Sequence, residues 1–212
     1  MMILSLQALV AVNLLGLHQM EPATGLPPGW KVRSVSGVER PVAAIVTDGD
    51  DRLFRLSGAG QAAWFYRPIE TPLPPGGLLH WSWRVVTAPN GASLAVRDRD
   101  DSPIRIYVVF GKPGGLLKRS GRVLFYSFGG AEAAGYTAPS HVNKRLHVIG
   151  VDGPDAVGAW REHRVDPVAD YRRIWNRDPE PITAIGVMQD TDQTKHPAIA
   201  EIRTLEWKEG SQ

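Results

Sequence analysis

The stretch that most constrains the fold joins an acidic loop to the most β-prone run of the chain. Residues 104–110 are β-branched or aromatic apart from Arg105, and Asp98, Asp100 and Asp101 lie just before them. A continuous apolar run bounded by turn residues is typical of a strand buried on both faces. A buried arginine needs a partner. We therefore predict a central strand that begins at a carboxylate cluster, which is a place where a site could be built.

Short apolar runs separated by turn residues continue along the chain. The 22 glycines and 17 prolines are spread between these runs, which favours strands and turns over long helices. We predict nine to eleven short strands and one clear helix at residues 168–175, with Asp166 and Pro167 at its start. No internal repeat and no alternation of strands with helices is visible. The pattern predicts an all-β protein, an antiparallel β-sandwich of jelly-roll type with one or two short helices.

The N-terminus carries a separate signal. Residues 1–17 are uncharged, which is typical of a signal-peptide core, although no Lys or Arg precedes them and the nearest candidate cleavage site is at residues 22–24. Three interpretations stay open: a signal peptide, an uncleaved apolar anchor helix, and an apolar helix packed on the domain. We expect residues 1–23 to be one of these and residues 24–212 to be a single β-sandwich domain. The expected location is periplasmic, or membrane-associated on the periplasmic side.

Composition excludes several classes of function. The chain has no cysteine, which rules out disulfides, thiolate metal sites and cysteine nucleophiles. Its net charge is +2, with basic and acidic residues interleaved, so no nucleic-acid partner is expected. The six histidines have no metal-ligand spacing, and no serine-nucleophile motif or phosphate loop is present.

Four segments form a recognisable set: residues 81–85, 97–110, 170–173 and 185–194. Together they resemble the bacterial domain of unknown function 3047 family (DUF3047), over roughly residues 28 to 208. The resemblance implies a usually exported protein with a galactose-binding-like jelly roll, and it implies no particular activity. One departure is Gln189, which precedes Asp190 where the family pattern would have threonine, so one expected loop ligand is missing.

The acidic loops suggest a metal. The candidate ligands are Asp98, Asp100, Asp101, Asp190 and Asp192. Ca²⁺ takes six to eight oxygen ligands, often from aspartates and loop carbonyls, so Ca²⁺ is the candidate cofactor. Neither loop fits the EF-hand pattern, and aspartate also favours turns through its own hydrogen bonds to the backbone. The loops can meet only if the strands that carry them are neighbours.

A second set of candidates would contact an organic ligand: Trp83, Arg84, Arg105 and Tyr107. Aromatic rings can stack on sugars, and guanidinium groups bind carboxylates or phosphates in a bidentate manner. The structural alternative places the tryptophans in the core, because they alternate with polar residues along residues 78–86. In that alternative the arginines pair with the acidic loops.

These observations predict a non-catalytic binding or assembly module of the cell envelope, whose ligand is a glycan or a protein partner. One alternative is a carbohydrate-active hydrolase that uses Asp100 or Asp101 with Asp190 or Asp192, since glycoside hydrolysis needs two carboxyl groups across a cleft. Another is an accessory subunit of a membrane-associated complex, docked through residues 1–17. The sequence does not decide between them.

Overall fold

A computed structural model describes residues 11–111 and 121–209 of the chain, which form fourteen strands, one α-helix and three short 3₁₀ turns. The strands are β1 (Ala11–Asn13), β2 (Ala23–Thr24), β3 (Lys31–Ser34), β4 (Val42–Asp48), β5 (Asp51–Ala59), β6 (Ala62–Pro68), β7 (Gly77–Thr87), β8 (Ser102–Phe110), β9 (Arg122–Phe128), β10 (Thr137–Pro139), β11 (Leu146–Asp152), β12 (Trp160–Val165), β13 (Ile182–Asp190) and β14 (Pro197–Glu209). Helix α1 is Pro167–Trp175, and the 3₁₀ turns are Leu17–Gln19, Arg97–Arg99 and Pro154–Ala156.

The strands form two sheets that pack face to face. The A sheet has the order β12-β7-β14-β5-β4-β2, with β1 also paired to β14, and the B sheet has the order β10-β11-β9-β8-β13-β6-β3. Neighbouring strands are antiparallel except β9 and β11, which are parallel. The predicted β-sandwich of jelly-roll type is confirmed, and so is the helix, which Asp166 caps by accepting bonds from two backbone N–H groups.

The core lies between the sheets, and a second apolar cluster covers the outer face of the B sheet. In β7, Trp81 and Trp83 point into the core while Arg84 points outward, as expected for a strand with one buried face. All nine residues of β8 are buried. Ile106 faces the core, and its neighbour Tyr107 belongs to the second cluster. The predicted central strand, buried on both faces, is therefore confirmed.

The described part of the N-terminus packs as part of the sandwich. Strand β1 pairs with β14, and Leu14, Leu15 and Leu17 lie in the core. The Trp30 side chain donates a hydrogen bond to the carbonyl of Leu14 at 2.8 Å. Residues 11–24 thus form two strands and a 3₁₀ turn where two of the three interpretations predicted an apolar helix.

Residues 1–10 lie outside the described residues, so the signal peptide itself stays a prediction. Its candidate cleavage site overlaps β2, and residues 11–23 pack against the domain that was expected to begin at residue 24. No helix in the part of the chain that the structure describes is long and apolar enough to span a membrane.

Candidate functional site

The two acidic loops meet at one end of the B sheet. Strands β8 and β13 are neighbours, and Asp190 lies opposite Ser102. This pairing brings Asp101 beside the second loop, so that one carboxylate oxygen from each of Asp101, Asp190 and Asp192 lies within 4.8 Å of the others. The condition set by the sequence, that the strands carrying these loops are adjacent, is met.

Asp101 fastens the two loops together. Its fully buried carboxylate accepts hydrogen bonds from the backbone N–H of Gln193 at 3.1 Å and from the N–H and hydroxyl of Thr194 at 2.7 and 2.5 Å. An ionised carboxylate has about four acceptor positions, so three donors leave room for roughly one further contact. Asp101 therefore shapes the loop and keeps some capacity to bind an ion.

Asp190 and Asp192 lack such donors. The Oδ1 atom of each is buried and has no hydrogen-bond partner among the residues that the structure describes. Burial raises the pKa of Asp190 to about 7, and the charges of Asp192 and Asp101 add to the rise while Arg105 opposes it. The cluster thus holds more negative charge than its protein neighbours neutralise.

The other two predicted metal ligands, Asp98 and Asp100, lie outside this group. Asp100 is engaged by Arg105, which donates to its carbonyl at 2.9 Å and to its Oδ1 at 2.8 Å. Asp98 is exposed on the 3₁₀ turn Arg97–Arg99. The prediction of five ligands is corrected on this geometry to three candidates, because one carboxylate already has a cationic partner and the other points into solvent.

A cleft of about 240 Å³ opens beside the cluster. Its polar lining consists of Arg97, Asp98, Asp100, His141, Asp190 and Gln193. The His141 ring donates through Nε2 to the carbonyl of Leu94 at 3.0 Å, which fixes the ring at the rim. Asp190 belongs both to this cleft and to the carboxylate cluster, so an ion held by the cluster would lie at the base of the cleft.

Gln189, the departure from the family pattern, does not face the cluster. Its side chain is fully buried and donates to the carbonyls of Leu56 and Pro103 at 3.3 and 3.1 Å. Successive residues of a strand point to opposite faces, so the carboxylate of Asp190 and the amide of Gln189 lie on different sides of the B sheet. The substitution therefore removes no ligand from the three-carboxylate group.

Two of the four predicted ligand contacts are interior residues. Trp83 is 0% exposed and donates to Asp152 at 2.7 Å. Tyr107 is also 0% exposed, donates to the carbonyl of Phe65 at 3.1 Å, and lies where a Cβ at Gly186 would come within 2.5 Å of its ring. Their burial argues against the predicted contact with a ligand and agrees with the structural alternative.

The two predicted arginines have structural partners. Arg105 pairs with the first acidic loop, as the alternative predicted. Arg84 instead donates to Glu201 at 2.8 Å and to Asp48 at 2.8 Å, so the expectation that it pairs with an acidic loop of the B sheet was wrong. Its guanidinium stays partly exposed on the outer face of the A sheet.

The surroundings of Arg84 include a feature of β14 that was not predicted from the sequence. A β-bulge between Ile202 and Thr204 interrupts the pairing with β7. Ile202 and Leu205 consequently both face the core, and Arg203 and Thr204 lie on the outer side. The sequence contains a sign of this bulge, because Ile202 and Leu205 cannot both face the core in a strand that alternates without interruption.

The chain was compared with known proteins. No significant match was found among curated protein sequences. The family 11 carbohydrate-binding module of the Clostridium thermocellum cellulase Lic26A-Cel5E aligns with a TM-score of 0.50 and 9% identity over 94% of each chain. The family 11 module from the same organism, in complex with a β-1,3-1,4-mixed-linked tetrasaccharide, aligns with a TM-score of 0.50 and 11% identity over 95% of this chain and 96% of that one. At such identities the likeness concerns the fold.

The family comparison covers most of the sequence. The family described as "Protein of unknown function (DUF3047)" matches residues 28–206, which include both acidic loops and all strands from β3 to β13. The resemblance read from the four sequence segments is confirmed, and this chain belongs to the DUF3047 family.

Proposed function

We propose that this protein is a non-catalytic binding module of the cell envelope, in which Asp101, Asp190 and Asp192 hold a divalent cation and the adjacent cleft receives a glycan. The observation that carries the proposal is the convergence of three carboxylates within 4.8 Å, two of which have a buried oxygen without a partner among the described residues. Asp101 alone has donors that the fold itself supplies.

The chemistry of the cluster favours a hard cation. Buried like charges are costly unless a counter-charge or protons neutralise them. Arg105 is the nearest cation that acts on Asp190, and Asp100 already engages its guanidinium. Ca²⁺ suits the site because it accepts carboxylates, loop carbonyls and water in flexible geometry, whereas Mg²⁺ demands a near-ideal octahedron.

The cleft supports a polar, hydroxyl-rich ligand. Arg97 and Gln193 offer donors, and Asp98 and Asp190 offer acceptors within one cavity. A cation at the base of the cleft would have open coordination positions for water or for sugar hydroxyls. The tetrasaccharide bound by a family 11 module with the same fold gives the first glycan to try.

The envelope location rests on the uncharged residues 1–17, of which residues 11–17 are retained in this proposal because they pack on the sandwich. Docking of this segment onto a membrane-associated complex stays an alternative prediction. Fractionation of cells that express the full chain with a C-terminal tag would test the location, and recovery in the cytoplasmic fraction would contradict it.

The cation is tested by calorimetric titration of CaCl₂ into chelator-treated protein, together with thermal melts. We expect Ca²⁺ at 100 times Kd to stabilise the fold by about 2.7 kcal/mol. Asp192→Asn should weaken binding by about tenfold or more, a loss of ~1.4 kcal/mol. Asp178→Asn is the matched control, because Asp178 is exposed and pairs with Arg172 on the surface. No heat and no melting shift at millimolar Ca²⁺ would exclude the site.

The glycan is tested separately by affinity electrophoresis with β-1,3-1,4-mixed-linked oligosaccharides, with Ca²⁺ and with EDTA. We expect EDTA to remove the part of the binding that depends on the cleft, so that cleft variants and the wild type bind alike in EDTA. His141→Ala should weaken glycan binding while leaving the Ca²⁺ titration unchanged, because His141 lines the cleft and is not one of the three carboxylates. Unchanged glycan binding in the His141 variant would place the ligand elsewhere.

One observation favours a second candidate, a glycoside hydrolase. Burial raises the pKa of Asp190 to about 7, and a general acid needs such a pKa to keep its proton at neutral pH. Retaining enzymes hold their two carboxyl groups ≈ 5–5.5 Å apart, and in this cluster one oxygen of each carboxylate lies within 4.8 Å of the others. Release of reducing sugars by the wild type and not by Asp190→Asn would favour the hydrolase over the binding module.

A further inference from the structure

The outer face of the A sheet carries a group of charged and aromatic side chains that are not part of the cleft on the B sheet. Its centre is the β-bulge of β14, where Ile202 pairs with Trp83, Thr204 pairs with Ser82, and Arg203 is the extra residue between them. Bulges re-aim side chains and are frequent beside functional sites. The result here is an arginine on the outer face of the central strand of this sheet.

Arg203 lies against an aromatic ring. Trp160, at the start of β12, is partly exposed, and the guanidinium carbons of Arg203 and Arg84 lie 4.6 and 4.8 Å from its ring centroid. Such cation–π contacts hold the ring in place. Glu201 and Asp48 in turn hold Arg84. This outer face therefore offers an aromatic group that is already ordered before any ligand arrives.

Arg203 donates one long hydrogen bond to the Ser82 hydroxyl, at 3.3 Å, and its ion pairs are weak. Its nearest carboxylate oxygens, from Asp51 and Glu162, are 3.5 and 3.7 Å away, and both carboxylates are more than half exposed. Exposed ion pairs of this kind contribute little free energy. A ligand that bonds to the guanidinium of Arg203 therefore displaces weak contacts.

A cavity of about 380 Å³ adjoins Arg203. Its polar lining consists of Asn13, His18, Asp50, Asp51, Arg52, Arg203 and Thr204. Ligand sites commonly have volumes of roughly 300–1,000 Å³ with a few placed polar groups. The N-terminal segment supplies part of this wall, so residues 11–18 help to build the cavity as well as the core.

The charges of this face balance one another. Arg55 and Arg84 surround the fully buried carboxylate of Glu201, and Arg203 lies between Asp51 and Glu162. A face of paired charges exerts little net field on an ionic ligand. It does present donors beside acceptors, an arrangement that suits neighbouring hydroxyl groups, which both donate and accept.

We infer that this face, defined by Trp160, Arg84, Arg203 and the adjoining cavity, is a second binding surface that takes a neutral sugar and acts without the cation of the B sheet. It lies on the opposite side of the sandwich from the acidic cluster. The inference concerns a different surface from the proposed function, and the two can fail separately.

The test uses the full chain in EDTA, which removes any contribution from a cation. Neutral oligosaccharides of glucose, mannose and galactose are compared with an oligogalacturonate of the same length by affinity electrophoresis and calorimetry. We expect a neutral oligosaccharide to bind and the acidic one to bind at least about tenfold more weakly. Preference for the acidic oligosaccharide, or no binding of any neutral one, would overturn the inference.

Two variants locate the binding. Arg203→Ala and Trp160→Ala should each weaken binding by about tenfold or more, whereas Arg172→Ala, which removes an exposed arginine of α1, should leave it unchanged. Thermal melts check that each variant is folded, and Arg203→Ala decides the question if Trp160→Ala is not. Unchanged affinity in a folded Arg203→Ala variant would also overturn the inference.

Discussion

Asp152 and Asp190 are each the last residue of a strand, β11 and β13, and their carboxylates have different surroundings. Asp152 accepts hydrogen bonds from Trp83, His163 and Arg161 at 2.7, 2.7 and 3.1 Å. Asp190 faces other carboxylates, and its buried Oδ1 has no partner within the described residues. One aspartate is satisfied by the fold, and the other is not.

The difference appears in the pKa of each group. Burial alone would raise the pKa of Asp152, but the hydrogen bonds from His163 and Trp83 outweigh it and lower the value. For Asp190, burial raises the pKa to about 7, because the opposing charge of Arg105 does not offset burial and the neighbouring carboxylates together. A buried carboxylate surrounded by donors needs no ligand, whereas one without donors is completed by a proton or a cation.

The largest expected effect comes from neutralising each aspartate in turn. Asp152→Asn should destabilise the fold by about 3 kcal/mol, because it removes acceptor capacity from three donors, one of them the buried indole of Trp83. In a chain of this length that lowers Tm by roughly 6–12 °C. Asp190→Asn, measured in EDTA at pH 8, should leave stability unchanged or raise it, since it removes an unneutralised charge.

Urea unfolding of both variants measures this contrast, with Asp178→Asn as the surface control. Equal destabilisation by the two substitutions would mean that Asp190 is as well satisfied as Asp152, and the case for a missing ligand would disappear. A Ca²⁺-dependent gain in stability should be present in Asp152→Asn and absent in Asp190→Asn.

The contrast between these aspartates shows how far the sequence could predict the site. Short apolar runs predicted nine to eleven strands, and the short strands β1, β2 and β10 were not among them. Strands of two or three residues are too short for a period-two pattern to show. The meeting of the acidic loops was predictable only as a condition, because residue types carry no information on which strands become neighbours.

The roles of individual side chains were less accessible from sequence. Asp98, Asp100 and Asp101 are nearly adjacent, yet one is exposed, one pairs with Arg105, and one joins Asp190. Asp98 lies within the 3₁₀ turn, Asp100 caps the end of that turn, and Asp101 immediately precedes β8. Asp152 gave no signal at all, because its donors come from β7 and β12, and residue types do not reveal which side chains of different strands meet.

The second prediction concerns pH, where the two aspartates act with opposite signs. The pKa of Asp190 is raised from 3.8 to about 7 by folding, so the folded state binds its proton more tightly. This stabilisation is fully present below pH 3.8 and is lost as the pH rises through 7. The pKa of Asp152 is lowered, so its stabilisation is present at neutral pH and is lost in acid, below pH 4.

Unfolding free energies in EDTA between pH 5 and 8 measure the contribution of Asp190 to stability. We expect stability to fall across this range in the wild type and to change less in Asp190→Asn. Saturating Ca²⁺ should raise the unfolding free energy of the wild type most at pH 8, where the Asp190 carboxylate is ionised. An unfolding free energy of the wild type that rises with pH in EDTA would contradict the raised pKa of Asp190. It would indicate that Asp190, like Asp152, is stabilised in its ionised form.

The smallest expected effect tests whether the cation site is confined to three carboxylates. Asp98 is exposed and lies on the cleft rim, so Asp98→Asn should change the Kd for Ca²⁺ by less than about threefold, as expected for a solvent-screened charge. Asp192→Asn should change it by about tenfold or more, because it removes a proposed direct ligand. Calorimetric titrations at low and high salt distinguish the two, since only the Asp98 effect should vanish with screening. An equal loss of Ca²⁺ affinity in both variants would show that Asp98 also coordinates the ion. The cation site would then extend along the first acidic loop from Asp101 to Asp98.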